Sequence, residues 1–376
     1  MDKAMQGLEL SEKYYREMVS DLIEKCCPVL KNNHAAGLVG YGSDVLGNDD
    51  ELSRDHEWGP RCVIWLKKPD YDKYAAKLDR FLNDSLPERF SGFPTRYKVD
   101  EAMDCLVPVK RGEKGIHHIA ITTVARHLEL HLGLQTLEPD LYDWICIPEQ
   151  KLLEFTRGKI FDDPVGEITR ARRNLAYFPD AIWYFKMLYA WESLHDLDVV
   201  GVCAKRNDIL SARLALGRVT ERIVRLTFLL NRKYCPGAMK WFSREFYKLP
   251  RLANIIGKTL EECLILNNLE EAPGKIGGIL RLLIEEHNRL HITSEVKPVP
   301  PHRLLRGQLD FSYEGVIKEL SNLLPEELRD LRIHGGCDQW ITNDDVLIWA
   351  EDFSRFKSVY RKAEVVERKG TGDRMI

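Results

Sequence analysis

The residues best suited to chemistry lie between Gly40 and Arg61, in the run GYGSDVLGNDDELSRDHEWGPR. A short apolar stretch, Ala35 to Tyr41, leads into a Gly42-Ser43 turn. The acidic pair Asp55 and Glu57 follows and opens a second apolar stretch, Cys62 to Leu66. If Glu57 to Lys67 is a strand, Asp55 and Glu57 point the same way and His56 points oppositely. Their Cα atoms then stand ~6.6 Å apart, at ~3.3 Å per residue. Two carboxylates so placed can share magnesium ions, which readily keep substrate phosphates as further ligands. Two such ions clamp the attacking and leaving oxygens of a phosphoryl transfer. Gly42 lets the backbone come close to a triphosphate. Ser43 adds a hydroxyl and an N–H, and a helix beginning there adds its positive end. The chemistry is metal-assisted nucleotidyl transfer. The plainer reading is an ordinary turn followed by two solvated strand-edge charges. The order of the parts and their apolar flanks make the combination more specific than either part alone.

The elements that must position these residues come from a chain of 376 residues, long enough for two domains. Hydrophobic residues make up 44% and charged residues 30%, as in a globular protein. With 55 basic and 58 acidic residues the net charge is -3, which argues against general nucleic-acid binding while leaving room for a local basic groove. The opening MDKAMQGLELSEKYYREM contains no apolar run of the secretory kind, and no stretch approaches the ~18 apolar residues of a membrane span. Nine scattered cysteines, with Cys26 and Cys27 adjacent, suggest reduced thiols rather than a disulfide framework or a zinc cluster. The expectation is a cytoplasmic protein with no membrane partner.

Hydrophobic spacing predicts a helix over Leu10–Cys27, a strand over Ala35–Tyr41 and a helix over Tyr71–Leu86. Strands are predicted over Phe93–Val99 and Ile116–Val124, with a helix from Ala125 to Leu132. After Asp162 the texture becomes helical. Helices are predicted from Pro179-Asp180, over Asp208–Leu230, Arg251–Leu269 and Gly278–Leu290, and finally over Asp344–Val366. An antiparallel helical bundle is the simplest arrangement. Lys297–Pro301 reads as a stiff connector, and RKGTGDRMI as a frayed end.

The segment from Ala35 to Pro60 resembles the DNA polymerase β-type nucleotidyltransferase superfamily: an apolar strand, Gly-Ser, a short helix, then Asp-x-Asp/Glu. With DDE-SRDH and Trp-Gly-Pro it is most similar to a poorly characterised branch of that superfamily. The resemblance implies that Gly42 and Ser43 contact the triphosphate, with Arg54 nearby, and that Asp55 and Glu57 hold a two-ion Mg2+ site. The branch more often ends the motif in Asp, so Glu57 is a departure, although some aminoglycoside-modifying relatives also carry Asp-x-Glu. The superfamily usually adds a third carboxylate from a later strand. Ile116–Val124 contains no acid; Asp100, Glu101 and Asp104 are the nearby candidates.

Arg206 to Trp241 resembles the helical bundle that follows the catalytic domain in kanamycin-type nucleotidyltransferases. On a helix, Arg218, Glu221 and Arg225 lie near one face. This stripe is either a solvated, salt-bridged surface or a set of groups aimed at phosphates and acceptor, with Glu221 as a candidate general base. Lys240 is a candidate for the nucleotide, and Tyr234 for the acceptor. His287 and His291 stand four apart but lack the Glu of H-E-x-x-H, so they read as a solvated helix face. Of His117 and His118, on opposite faces of a strand, one is expected to be buried and satisfied.

The expected fold is α+β: a small mixed-sheet nucleotidyltransferase domain at 1–158, then a mostly α-helical bundle at 159–376. The expected activity is transfer of a nucleoside monophosphate from an NTP to a hydroxyl or amine of an unknown acceptor: a small molecule, protein or RNA. The alternative is a catalytically inactive protein of the same fold that binds nucleotide or a partner.

Overall fold

The structure, a computed structural model, describes residues 5–102, 105–110, 112–297, 302–303, 309–310 and 313–361. Most of the connector at Lys297–Pro301, the terminal RKGTGDRMI and Asp104 lie outside the described residues. The chain forms two compact units: Met1–Glu138 with Gln150–Ala176, and Pro139–Glu149 with Tyr177–Ile376. The first is built on a small mixed sheet and the second is mostly helical. A single boundary near residue 158 gives way to three crossings. The reason is a strand not foreseen from the sequence, Lys159–Asp162, which pairs with the sheet and keeps its neighbours in the first unit.

In the first unit, one continuous helical run spans Gly7–Tyr14, Tyr15–Val19 and Ser20–Cys26. Its fully buried apolar residues are Leu10, Tyr14, Val19 and Ile23. The five-residue step from Tyr14 to Val19 is one too long for an α-helical stripe, and a π-turn at Tyr15–Val19 absorbs it. This face packs on the sheet, in one core with Leu38, Ile64, Leu66, Leu78 and Leu82.

Strand β1 (His34–Leu38) and strand β2 (Cys62–Leu66) are buried along their whole length, so both read as continuous apolar runs. They pair antiparallel, with Gly37 opposite Val63. On the far side of β2, Ile119–Thr122 runs parallel, with Ile119 opposite Cys62. On the far side of β1, Lys159–Asp162 runs antiparallel, with Lys159 opposite Leu38. The C-terminal end of β1 is thus level with the N-terminal ends of the other three strands. That end of the sheet gathers the Gly40–Ser43 turn, the approach to β2, His117-His118 and Arg157-Gly158.

In the second unit the main helices include Asp180–Glu192, Asp196–Lys205, Ile209–Leu230, Ala253–Leu264 and Ala272–Arg289. Ile209–Leu230 buries Ala212, Leu216, Val219, Ile223, Leu226 and Leu230, a spacing of four and three that forms one face. Trp183, Phe185 and Trp191 are core residues, and Trp183 Nε1–H donates to Leu229 O at 2.9 Å. Of the long final helix predicted over Asp344–Val366, residues 362–366 lie outside the described residues; the rest is a short helix Asp344–Ile348 and then a helical run made of Ala350–Phe353, a 3-10 turn Ser354–Phe356 and Lys357–Tyr360. Trp349, extended at φ -94 and ψ 123, breaks the first from the second. No helix among the described residues is long and apolar enough to cross a membrane, and all nine cysteines are free.

A wholly buried lysine organises this unit. Lys186 Nζ lies 2.8 Å from Asp338 Oδ1 and 3.1 Å from Glu149 Oε1. The other oxygen of Asp338 accepts the Glu149 N–H, and the other oxygen of Glu149 accepts the Cys235 N–H, each at 2.8 Å. Four distant segments are joined, and both carboxylates are engaged at both oxygens. Lys186→Met would leave two buried carboxylates facing each other. It should cost roughly 3–5 kcal/mol, the usual cost of breaking a buried pair. Chemical denaturation of the full chain checks this, and a change under about 1 kcal/mol would contradict it.

His287 is not on a solvated face: it is fully buried, its Nε2 2.9 Å from Thr293 Oγ1, while His291 lies beyond the helix end at φ 50. Burial pulls the His287 imidazole down to about 4. Its neutral form favours the fold, so that contribution is complete above the ordinary value of about 6.5 and is lost as pH falls from there towards 4. The loss should be roughly 2–4 kcal/mol. Denaturation midpoints measured between pH 7 and 4 should fall more steeply for the native chain than for His287→Leu.

Candidate functional site

The turn after β1 is held by a buried ion pair. Arg61 Nη2–H donates to Asp44 Oδ1 at 2.6 Å and to Tyr41 O at 2.8 Å, while Nε–H donates to Asp44 Oδ2 at 3.2 Å. Both side chains are nearly inaccessible. The fork spans the whole Tyr41–Asp44 bend and fixes it against the start of β2. Gly42 has φ 138, and a Cβ there would lie 2.1 Å from Arg61 Nη2 and 2.4 Å from Asp44 Oδ1. Glycine is required at this position by the fork as much as by any ligand. Ser43 opens a helix of only four residues, Ser43–Leu46, so the turn offers amides rather than an extended helix dipole. The Arg157-Gly158 loop closes that helix: Gly158 N–H donates to Val45 O, and Arg157 Nη2–H to Leu46 O, each at 2.9 Å.

Asp55 and Glu57 do not lie on a strand. The ladder of β2 begins at Cys62. Ahead of it Glu57 sits at φ 49 and Gly59 at φ 128, and Pro60 follows, which removes the extended backbone expected there. The two carboxylates therefore part. Asp55 is 61% exposed and pairs with His56 Nδ1 at 3.0 Å. Glu57 turns inward: its N–H donates to Leu106 O, and Leu106 N–H donates to Glu57 Oε1, both at 2.9 Å. These reciprocal bonds tie Glu57 to the hairpin Tyr97–Asp100/Cys105–Pro108 and hold a left-handed conformation that an L-residue otherwise avoids.

The other oxygen of Glu57 faces His118, with His118 Nε2 3.0 Å from Glu57 Oε2; the His118 side chain is 14% exposed and that of Glu57 22%. Burial would raise the Glu57 carboxyl, but His118, the Leu106 N–H and Arg61 bring it down to about 2, so it is anionic. Burial holds the His118 imidazole below its ordinary value despite Glu57, so at neutral pH it is uncharged. His118 Nδ1 is buried without a hydrogen-bond partner, and the ring packs 4.8 Å from that of Tyr97. His117 is the satisfied member of the pair: Nδ1 accepts the Ile119 N–H at 3.2 Å, and Nε2 lies 3.3 Å from Asp79 O.

A second cluster borders the turn. Gly40 N–H donates to Glu154 O at 3.0 Å. The buried Glu154 carboxylate accepts Gln150 Nε2–H at 2.8 Å and has Lys151 Nζ at 3.4 Å and His131 Nε2 at 3.5 Å. Tyr41, half exposed between the glycines, has its hydroxyl pushed up by burial and then by the charges of Glu154 and Glu57. Glu57 thus stands close enough to the turn for its charge to act on Tyr41 and Arg61.

The other expected site residues are placed as follows. Arg54 lies over the Trp58 ring at 4.6 Å and donates through Nη2 to Met5 O at 3.2 Å, packing against the N-terminal helix. Arg218, Glu221, Arg225, Tyr234 and Lys240 all belong to the second unit. Arg218 is exposed. Arg225 Nε–H donates to Glu221 Oε1 at 2.9 Å, and Arg225 feels the charge of Asp338. Tyr234 is buried against the rings of Tyr177 and Phe178, and Lys240 is exposed with Nζ 5.4 Å from the Trp241 ring. Asp44, Arg61, Lys151 and Glu154 were not singled out from the sequence, and His118 was noted there only as one of a pair of strand histidines. Charged residues directly beside a Gly-Ser turn and directly before a buried strand were the available signal for the first two.

Among the described residues no group of three His, Cys, Asp or Glu stands close enough to hold a metal. Glu57 and His118 are the two donors that meet here, one carboxylate oxygen and one imidazole nitrogen.

Residues 144–242 match the model of a domain of unknown function, DUF4037. No curated protein matches the chain. Among solved structures, a nucleotidyltransferase-like protein from Exiguobacterium sibiricum 255-15 is similar over 82% of this chain and 86% of that one, at 11% identity and a TM-score of 0.32. A likeness that loose carries no argument about activity.

Asp44→Asn would leave the buried Arg61 charge uncompensated. It should destabilise the first unit by roughly 3–5 kcal/mol, and Gly42→Ala should also destabilise it, through collision with Arg61. Denaturation of the full chain checks both. Wild-type stability in either variant would mean that the fork does not hold the turn.

Proposed function

We propose that the chain transfers a nucleoside monophosphate from a nucleoside triphosphate to a hydroxyl or amine. The observation that carries this reading is that the Gly40–Ser43 turn, held by the Arg61 fork, and the inward-facing Glu57 lie at the same end of the sheet. The resemblance of Ala35–Pro60 to the polymerase β-type superfamily supports it. In this reading the Gly42 and Ser43 amides hold phosphate oxygens. Arg61 does not bind them, because its fork is spent on Asp44 and Tyr41 O; it keeps the amides in place. Glu57 faces the polyphosphate and its divalent ion, which supplies charge neutralisation when bound, and Asp55 would swing in from solvent to join it. The acceptor oxygen or nitrogen attacks the α-phosphorus and pyrophosphate leaves. Positioning and electrostatics supply most of the rate.

A second reading, a protein of this architecture that binds a nucleotide or partner without catalysis, is supported by the exposure of Asp55 and the lack of a three-acid cluster among the described residues.

The test uses α-labelled nucleoside triphosphates with cell extract as acceptor. The first reading expects pyrophosphate release and a labelled product, with Glu57→Gln lowering the rate about a hundredfold or more. Asp55→Asn should also lower it. Nucleotide binding with no pyrophosphate would select the second reading. Undiminished turnover in Glu57→Gln would remove Glu57 from the site.

A further inference from the structure

The strand from which an acid was expected carries a histidine at its leading end. Ile119 pairs with Cys62, so His118 is level with Arg61, beside the approach to β2 that contains Glu57. His118 Nε2 and Glu57 Oε2 are 3.0 Å apart. Two neighbouring ligands on an octahedral ion, each about 2.1 Å from it, stand about 3.0 Å from one another. An ion ligated by both would replace the Glu57–His118 hydrogen bond after a small turn of the ring, with the imidazole proton carried on Nδ1, which is buried without a partner. Neither donor is free to drift. Glu57 is fixed by its reciprocal bonds with Leu106, and the His118 ring packs against the Tyr97 ring. Tyr97 is itself held by its hydroxyl, which donates to Trp58 O at 3.2 Å.

We infer that Glu57 and His118 together bind one divalent cation of the class that accepts nitrogen ligands, as manganese(II) does, rather than forming the all-oxygen magnesium site that an Asp-x-Glu pair suggests. Magnesium takes oxygen ligands in near-ideal octahedra, whereas imidazole suits the first-row transition ions. The protein supplies one oxygen and one nitrogen, and a polyphosphate supplies further oxygens. The assignment rests on the proposed nucleotidyl-transfer site for its location, but concerns binding alone.

The experiment is pulsed electron paramagnetic resonance of manganese(II) added to the full chain with inorganic tripolyphosphate, a probe that contains no nitrogen. Calorimetric titrations of manganese(II) and magnesium(II) accompany it. The expected result is 14N modulation from a directly bound imidazole. His118→Gln should abolish that modulation and weaken manganese binding about tenfold or more. His118→Asp should restore an all-oxygen pair and shift the preference towards magnesium. Denaturation curves show whether both variants fold. Bound manganese without 14N modulation, no manganese binding, or modulation that survives in His118→Gln overturns the inference. Its failure is distinguishable from that of the proposed activity. Pyrophosphate release with no 14N coupling leaves the transfer reading standing and removes this one; coupling without any release does the reverse.

Discussion

The Arg61–Asp44 pair is the constraint on which the first unit's candidate site depends. It joins the bend after β1 to the residue before β2, and it does so in a setting almost closed to water. Removing two charges from water is costly, and such pairs often contribute little net stability. What this pair supplies is geometry. With the fork in place the bend has one shape, Gly42 has no room for a side chain, and the turn amides are fixed relative to the end of the sheet. Everything else at that end is arranged around it.

The acidic pair illustrates how two like residues acquire different roles from backbone alone. Three features between Glu57 and Pro60 forbid a strand, and Asp55 and Glu57 part. One remains in solvent beside His56; the other is drawn into the hairpin and against His118. The second unit uses the same device for a different end. There Lys186 gathers Glu149 and Asp338, Glu149 in turn accepts the Cys235 amide, and every oxygen of the two carboxylates is engaged. The contrast is informative. Both clusters engage every carboxylate oxygen; the difference is that the Glu57–His118 pair keeps one buried polar atom, His118 Nδ1, without a hydrogen-bond partner and lies at the end of the sheet that carries the Gly-Ser turn.

Much of the architecture was legible because burial is written in periodicity. The fully buried β1 and β2, the helix Ile209–Leu230 and the aromatic helix at Asp180–Glu192 each carry an apolar pattern that their burial explains. The Gly-Ser turn was legible for the same reason, since it interrupts two such runs. What was hidden depended on partners distant in sequence. Lys159–Asp162 is short and mixed, and becomes a strand only because β1 offers a free edge. Glu57 leaves the extended conformation because Leu106, 49 residues away, takes both its N–H and its carboxylate. His287 is hydrophilic by type but enclosed by tertiary packing. No local pattern records these choices.

The central claim is that the rigid turn and the inward carboxylate at this sheet end grip a metal-bound polyphosphate. A crystal structure of the full chain soaked with a non-hydrolysable nucleoside triphosphate and manganese(II) tests it most directly. The account predicts phosphate oxygens within hydrogen-bonding distance of the Gly42 and Ser43 amides and an ion ligated by Glu57. Nucleotide bound elsewhere, with Glu57 still closed onto Leu106 and His118 and no ion beside it, would contradict the account.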